Sequence, residues 1–302
     1  MTGVQTCALP IYLQAACRLQ SNRKLETLAR KLTPHYTWAD IVLPADRLQQ
    51  LREICNQVRY RARVYDDWGF DRKLSLGKGL NVLFAGPSGT GKTMAAEIMA
   101  GELGLDVYKI DLSSVVSKYI GETAKHLNRI FARAARMNAV LLFDEADALF
   151  TRRTEVKDSH DRYANADTSY LLQLLEEYRG IVILASNKKQ NIDPAFTRRV
   201  RYVFDFPRPD MAERRRIWHR IVGELCGAES LKRLEATIEA LAGTVETSGA
   251  QIKNAVLASI FVSRRSREPL AMEHLLRGME RELAKEGRSL GPRERERLMG
   301  RG

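Results

Sequence analysis

The chain has 302 residues, 44% of them hydrophobic, and a formal net charge of +12. This is enough apolar material for a sizeable core, with room for one large domain and one small one, and it excludes a disordered chain. No apolar run approaches the length of a membrane span, and no secretory signal is evident.

In chain order, the segment 1–11 resembles a translated sequencing adapter and is set aside from fold reasoning; the natural protein is expected to continue upstream. The stretch 12–33 reads as a basic helix or linker. From Pro34 strand and helix patterns alternate, which predicts a large α/β domain over 34–206 with a parallel five-stranded sheet covered on both faces. Leu48–Tyr65 has helical spacing (Leu48, Leu51, Ile54, Cys55, Val58). Leu80–Ala85 is an apolar strand, followed by a glycine-rich loop and a helix to about Leu103. Val107–Asp111, Ala139–Phe143, Ile181–Ala185 and Val203–Phe206 are further strands. Thr123–Met137 and Asn165–Tyr178 are the helices between them. Strand signals stop after Pro207-Arg208-Pro209-Asp210, so a small helical domain is expected over 207–290, with a charged tail over 291–302. There is no internal repeat.

Cys7, Cys17, Cys55 and Cys226 lack metal-binding or C-x-x-C spacing and read as free thiols of a reducing cytosol. The basic excess is concentrated where acids also occur, in Ala212–Arg216 and Arg293–Arg297. Those runs read as solvated helix faces rather than as a nucleic-acid surface.

The chemistry begins at Gly86-Pro87-Ser88-Gly89-Thr90-Gly91-Lys92-Thr93, which fits G-x-x-x-x-G-K-[ST] in full, between a strand and a helix. Backbone N–H groups of such a loop turn inward around phosphates, and the helix N-terminus presents its positive dipole end. Lys92 would reach the β- and γ-phosphates, and the Thr93 hydroxyl would hold Mg²⁺. The strand Ala139–Phe143 delivers Asp144 and Glu145 to its carboxyl edge. There Asp144 would orient Mg²⁺ and Glu145 would act as general base on the attacking water. Asn187, after the next strand, has two readings: an ordinary turn residue, or an amide that holds the lytic water. These residues imply a nucleoside triphosphate site equipped for hydrolysis.

With the following Asp193-Pro194-Ala195-Phe196-Thr197-Arg198-Arg199, this order of motifs resembles the AAA+ ATPase module, in the clade of spastin, katanin and the Cdc48-type unfoldases. The resemblance covers Tyr36 to about Val262. It implies ATP and Mg²⁺ as ligands and an ATPase as the activity. It implies that Thr37-Trp38-Ala39-Asp40-Ile41 borders the adenine near Asp40 and Ile41. Ser248-Gly249-Ala250 matches the start of a lid helix. The implied nucleotide-binding set is Asp40, Ile41, Pro87, Ser88, Gly89, Thr90, Gly91, Lys92, Thr93, Met94, Gly249 and Ala250. Asn187 takes the sensor-1 role. Arg198 and Arg201 fall where the family's arginine fingers lie, with Arg199 a neighbouring candidate. The usual Pro-Gly-Arg-Phe is replaced here by Arg198-Arg199-Val200-Arg201-Tyr202, so the working finger is left open. Tyr119, Ile120 and Gly121, within Lys118–Glu122, resemble pore loop 1, which grips extended polypeptide in a ring. The segment 152–163 reads either as a second pore loop or as a solvated loop, and its His160 gives no evidence of a metal site.

The resemblance therefore implies a cytoplasmic bacterial motor, a homo-hexamer acting on a polypeptide substrate, with no membrane and no nucleic acid partner. The phrases Val156–Asn165 and Glu176–Ala185 resemble a bacterial subgroup linked to phage-tail-like contractile injection systems. Two other classes are kept: a nucleic-acid motor or loader, suggested by the basic balance, and a scaffold in which ATP only cements assembly.

Overall fold

The computed structural model describes residues 29–61, 63–67, 79–112, 122–137, 139–147 and 159–298. They form two compact units. One gathers residues up to 38, 49–85 and 92–205; the other gathers 39–48, 86–91 and 206 onward.

The first unit is built on a mixed sheet of six strands. They are β1 (Arg30–Leu32), β2 (Leu80–Ala85), β3 (Asp106–Asp111), β4 (Ala139–Asp144), β5 (Ile181–Ser186) and β6 (Tyr202–Asp205), in the spatial order β1-β3-β4-β5-β2-β6. Five strands run parallel, as expected. The sixth is a correction: Arg30–Leu32 pairs antiparallel with β3, inside the stretch read as helix or linker. Three residues carry too little periodicity to announce a strand. Here the pairing covers an otherwise open edge, aided by Lys31 Nζ at 2.9 Å from Asp106 Oδ2.

β2 and β5 are buried along their whole length, and β4 is buried up to Asp144. Strands covered on both faces read as continuous apolar runs, which is why they were legible. One covering layer is the cluster of Phe131, Phe143 and Tyr178; Phe131 stacks 5.6 Å from Phe143 and meets Tyr178 edge-on at 5.2 Å.

The unit's helices are α1 (Ala45–Arg59, from Gln49 on), α2 (Lys92–Leu103), α3 (Glu122–Ala134), α4 (Ser159–Glu177) and the single turn α5 (Pro194–Thr197). α1 starts before the expected Leu48, with Asp46 in a first turn where a negative charge suits the helix dipole, and stops before Tyr65. α4 starts at Ser159, so the last part of the expected loop 152–163 is helical.

The second unit holds α6 (Met211–Arg233), α7 (Glu235–Thr244), α8 (Gly249–Ser266), α9 (Met272–Ala284) and α10 (Pro292–Leu298). Their apolar faces bury Trp218, Val222, Leu241, Ile252, Leu275 and Met279 in one core. Asp210 caps α6 reciprocally with Glu213: each backbone N–H donates to the other side chain, at 2.7 and 2.9 Å. Gly227, at φ 81°, breaks α6 into two helical stretches. The basic run Ala212–Arg216, expected to be a solvated helix face, is solvated only in part. Arg214 is buried, donating from Nε to Ala242 O at 2.9 Å and from Nη1 to Pro209 O at 2.7 Å. A guanidinium can be buried when carbonyls take its donors.

Candidate functional site

In the first unit β4, β5 and β2 lie side by side and parallel, so their carboxyl ends come out at one sheet edge. Lys92 opens α2 and its Nζ donates to Asn187 Oδ1 at 2.7 Å, just past the end of β5. Lys92 is only 8% exposed. Burial pushes its pKa down, while the nearby Asp144 and Asp147 carboxylates pull it back up.

Asp144 ends β4. Its Oδ1 accepts the backbone N–H of Glu145 at 3.0 Å, and its Oδ2 pairs with Lys109 Nζ at 2.6 Å. Glu145 is exposed and sits at φ 54°, in the left-handed region, which carries strain for a residue with a Cβ. The turn is held there because Ala146 N–H reaches across to Ala185 O at 2.9 Å. Ser186 Oγ donates to Asp147 Oδ1 at 3.1 Å, which ties the ends of β4 and β5 further. Sequence reasoning missed Lys109 and Asp147. A signal for Lys109 was present: it precedes Asp111 by two in β3, and so shares that residue's face of the sheet.

The loop Gly86–Gly91 belongs by packing to the second unit, although Lys92 and Thr93 follow it in the first. Gly89 has φ 77°, and a Cβ there would lie 2.7 Å from both the Ala250 Cβ and Ser248 Oγ. Only glycine fits both the conformation and the close approach. Gly89 O also accepts the Ala250 N–H at 3.2 Å, in the first turn of α8. Ser248 caps that turn with Gln251, and Gly249 opens the helix. On the other side, a Cβ on Gly91 would meet Ile41 Cδ1 at 3.7 Å. Within this unit the fold therefore gathers Ile41, the loop and Gly249-Ala250. Asp40 is half-buried beside Ile41 in the chain, and Thr93 and Met94 are half-buried at the start of α2.

Arg198, Arg199 and Arg201 are all exposed. The Arg201 N–H donates to Asn81 O at 3.1 Å, near the amino end of β2. Arg199 Nε pairs with Glu176 at 3.2 Å. Arg201 lines an apolar cavity of about 320 Å³ with Val58, Tyr60, Val64 and Leu80. Arg198 makes no ion pair among the described residues. Tyr119, Ile120 and Gly121 lie outside the described residues, as does 152–158 of the second loop.

Magnesium is held in such sites by one or two protein oxygens together with phosphate oxygens, not by a protein cage. The donors here suit that: no cluster of three His, Cys, Asp or Glu exists among the described residues, and Asp144 already draws a cation to its Oδ2.

Residues 82–208 match the profile of the family described as ATPase family associated with various cellular activities (AAA). Over 183 residues the chain is 33% identical to an uncharacterized AAA family ATPase, y4kL, of Sinorhizobium fredii, covering 60% of this chain and 53% of that protein. It is 30% identical over 280 residues to the ATP-dependent zinc metalloprotease FtsH 3 of Sphaerobacter thermophilus, covering 88% of this chain and 54% of that protein. It is 30% identical over 273 residues to the proteasome-activating nucleotidase 2 of Halobacterium salinarum, covering 86% and 63%. The chain thus spans between 53% and 63% of the length of these relatives.

Proposed function

We propose that this chain, which carries an ATPase domain of the AAA family, hydrolyses ATP as a cytoplasmic homo-hexameric motor that remodels or unfolds polypeptides. The observation that carries this reading is the meeting of Lys92, Asn187, Asp144 and a strained Glu145 at one sheet edge.

Backbone amides of Ser88–Thr93 cradle the phosphates, and Lys92 offsets charge on the β- and γ-phosphoryl oxygens. Thr93 and Asp144 would hold Mg²⁺, which when bound draws charge from the same oxygens. Asn187 and Glu145 hold a water in line with the γ-phosphorus. Glu145 accepts its proton as the water oxygen bonds to phosphorus and the bond to the bridging oxygen breaks, leaving ADP and phosphate. A neighbouring subunit's arginine stabilises the charge that develops, Arg198 being the candidate with no internal ion pair among the described residues. Tyr119, with Ile120 and Gly121, grips the polypeptide in the ring's axis. Relatives named as an ATP-dependent zinc metalloprotease and a proteasome-activating nucleotidase support a protein substrate. The finer proposal is service to a contractile injection system, supported by Val156–Asn165 and Glu176–Ala185 and tested by the presence of tail-sheath and baseplate genes beside this one.

The experiment compares two variants in ATP turnover and in unfolding of a tagged fluorescent protein. Glu145→Gln should retain ATP and lower turnover by about a hundredfold or more. Tyr119→Ala should keep turnover and lose unfolding. Normal turnover in Glu145→Gln sinks the catalytic assignment, and normal unfolding in Tyr119→Ala sinks the threading one.

A further inference from the structure

We propose that Lys109 competes with a divalent cation for Asp144, so that the metal is admitted together with the nucleotide phosphates and not before them. The inference rests on the metal role given to Asp144 above.

The geometry starts from strand register. β3 and β4 are parallel neighbours, with Lys109 opposite Leu142 and Asp111 opposite Asp144. Lys109 and Asp111 are two apart and share a face, so Lys109 is diagonal to Asp144 on that face. A lysine stem spans that diagonal, and Nζ comes to 2.6 Å from Asp144 Oδ2. The other oxygen is engaged too, since Oδ1 accepts the Glu145 N–H at 3.0 Å. The carboxylate is therefore held by a donor on each oxygen, one of them a full positive charge.

The pair is neither fully solvated nor fully buried: the Lys109 side chain is 33% exposed and that of Asp144 26%. Water screens it only in part, so the ammonium remains a real repulsion to a second cation at the same oxygen. Lys92 adds a further positive charge at this edge, with Asp144 and Asp147 as its carboxylate neighbours. Asp111, opposite Asp144 in the register, and Glu145, next to it in the chain, add negative charge to this edge, and the two ammonium groups offset part of the attraction these carboxylates hold for a divalent ion. A triphosphate tips that balance, because its charge arrives beside Lys92.

The test uses the full chain, without nucleotide and then with ADP so that no turnover intervenes, and follows Mn²⁺ by its electron paramagnetic resonance signal against an ADP-only control. Lys109→Met should lower the Mn²⁺ concentration for half-saturation about fivefold or more, because a like charge is removed. Lys109→Arg, which keeps the charge, should stay near the parent protein. Melting curves with and without Mn²⁺ give a second reading: the metal should stabilise Lys109→Met more than it stabilises the parent. An unchanged or weaker Mn²⁺ affinity in Lys109→Met overturns the inference. Asp144→Asn separates the two layers. If it binds Mn²⁺ as tightly as the parent, the metal role of Asp144 is wrong; if it loses the ion while Lys109→Met is unchanged, only the role of Lys109 is.

Discussion

Glu145 stands in the left-handed region at φ 54° with an exposed side chain, directly after the carboxylate that pairs with Lys109. A residue with a Cβ resists that conformation, and glycine does not. Glu145→Gly should therefore raise stability by about 1 kcal/mol, read as a higher urea midpoint with an unchanged slope, while ATP turnover is lost. A fall in stability would show that the glutamate makes a contact worth more than the strain. At this scale the sequence showed which residue types were present, but not their strain or their partners. Lys92, Asp144 and Asn187 were legible from motif and strand position. The bond from Lys92 to Asn187, at 2.7 Å across 95 positions of the chain, was not, because no local pattern encodes it.

The elements were legible in proportion to how strongly burial shaped them. β2, β4 and β5 are apolar almost throughout because both faces are covered, and each was read within a residue of its observed bounds. β1 was missed because it is short and lies at an edge, where pairing with β3 decides the conformation and periodicity does not. Among the helices, the close approach of α8 and α9 shows what spacing conceals. A Cβ on Gly278 would fall well inside contact distance of Ala255 O and Ser259 Oγ. Ser259 Oγ already lies 2.6 Å from Ala255 O and 2.7 Å from His274 O, and its one proton serves these two carbonyls. Gly278→Ala should thus force the two helices apart and cost about 1–3 kcal/mol in chemical denaturation. Gly223→Ala is the contrast. Its Cβ would meet Leu231 Cδ2 at an ordinary 3.5 Å, so the helix-propensity gain of up to about 1 kcal/mol should appear instead. Equal effects in the two variants would mean that helix propensity, not packing, sets the stability of the helical unit.

Across the whole molecule the charge balance of +12 is partly absorbed by pairing. Arg215 lies 2.5 Å from Glu239 and Arg295 lies 2.8 Å from Glu280, as expected for solvated helix faces. Arg198 and Arg201 carry the larger consequence. The Arg201 N–H bonds Asn81 O at the amino end of β2, whereas the phosphate loop leaves from Ala85. At about 3.3 Å per residue Asn81 and Ala85 are roughly 13 Å apart along that strand. The proposed ring gives such an arginine a neighbouring subunit's site as its target. Mixing tests this. Arg198→Ala alone should lose turnover by about a thousandfold, Lys92→Ala alone should be inactive, and their mixture should recover part of the activity. Full activity in Arg198→Ala alone would shift the finger role to Arg201.

The sequence by itself determined the family of the site: a phosphate loop between strand and helix, acids at the end of a buried strand, and the helical character of the C-terminal third. These are local patterns, set by hydrophobic periodicity and by residue types that only certain chemistry requires. The tertiary structure decided what those residues meet. It set Lys109 against Asp144, Asn187 against Lys92, Ile41 and Ala250 against the glycines of the loop, and Arg201 against Asn81 at the amino end of β2. Each of these is a contact between residues far apart in the chain, fixed by strand order, register and close packing, and a pattern read along the chain has no access to any of the three.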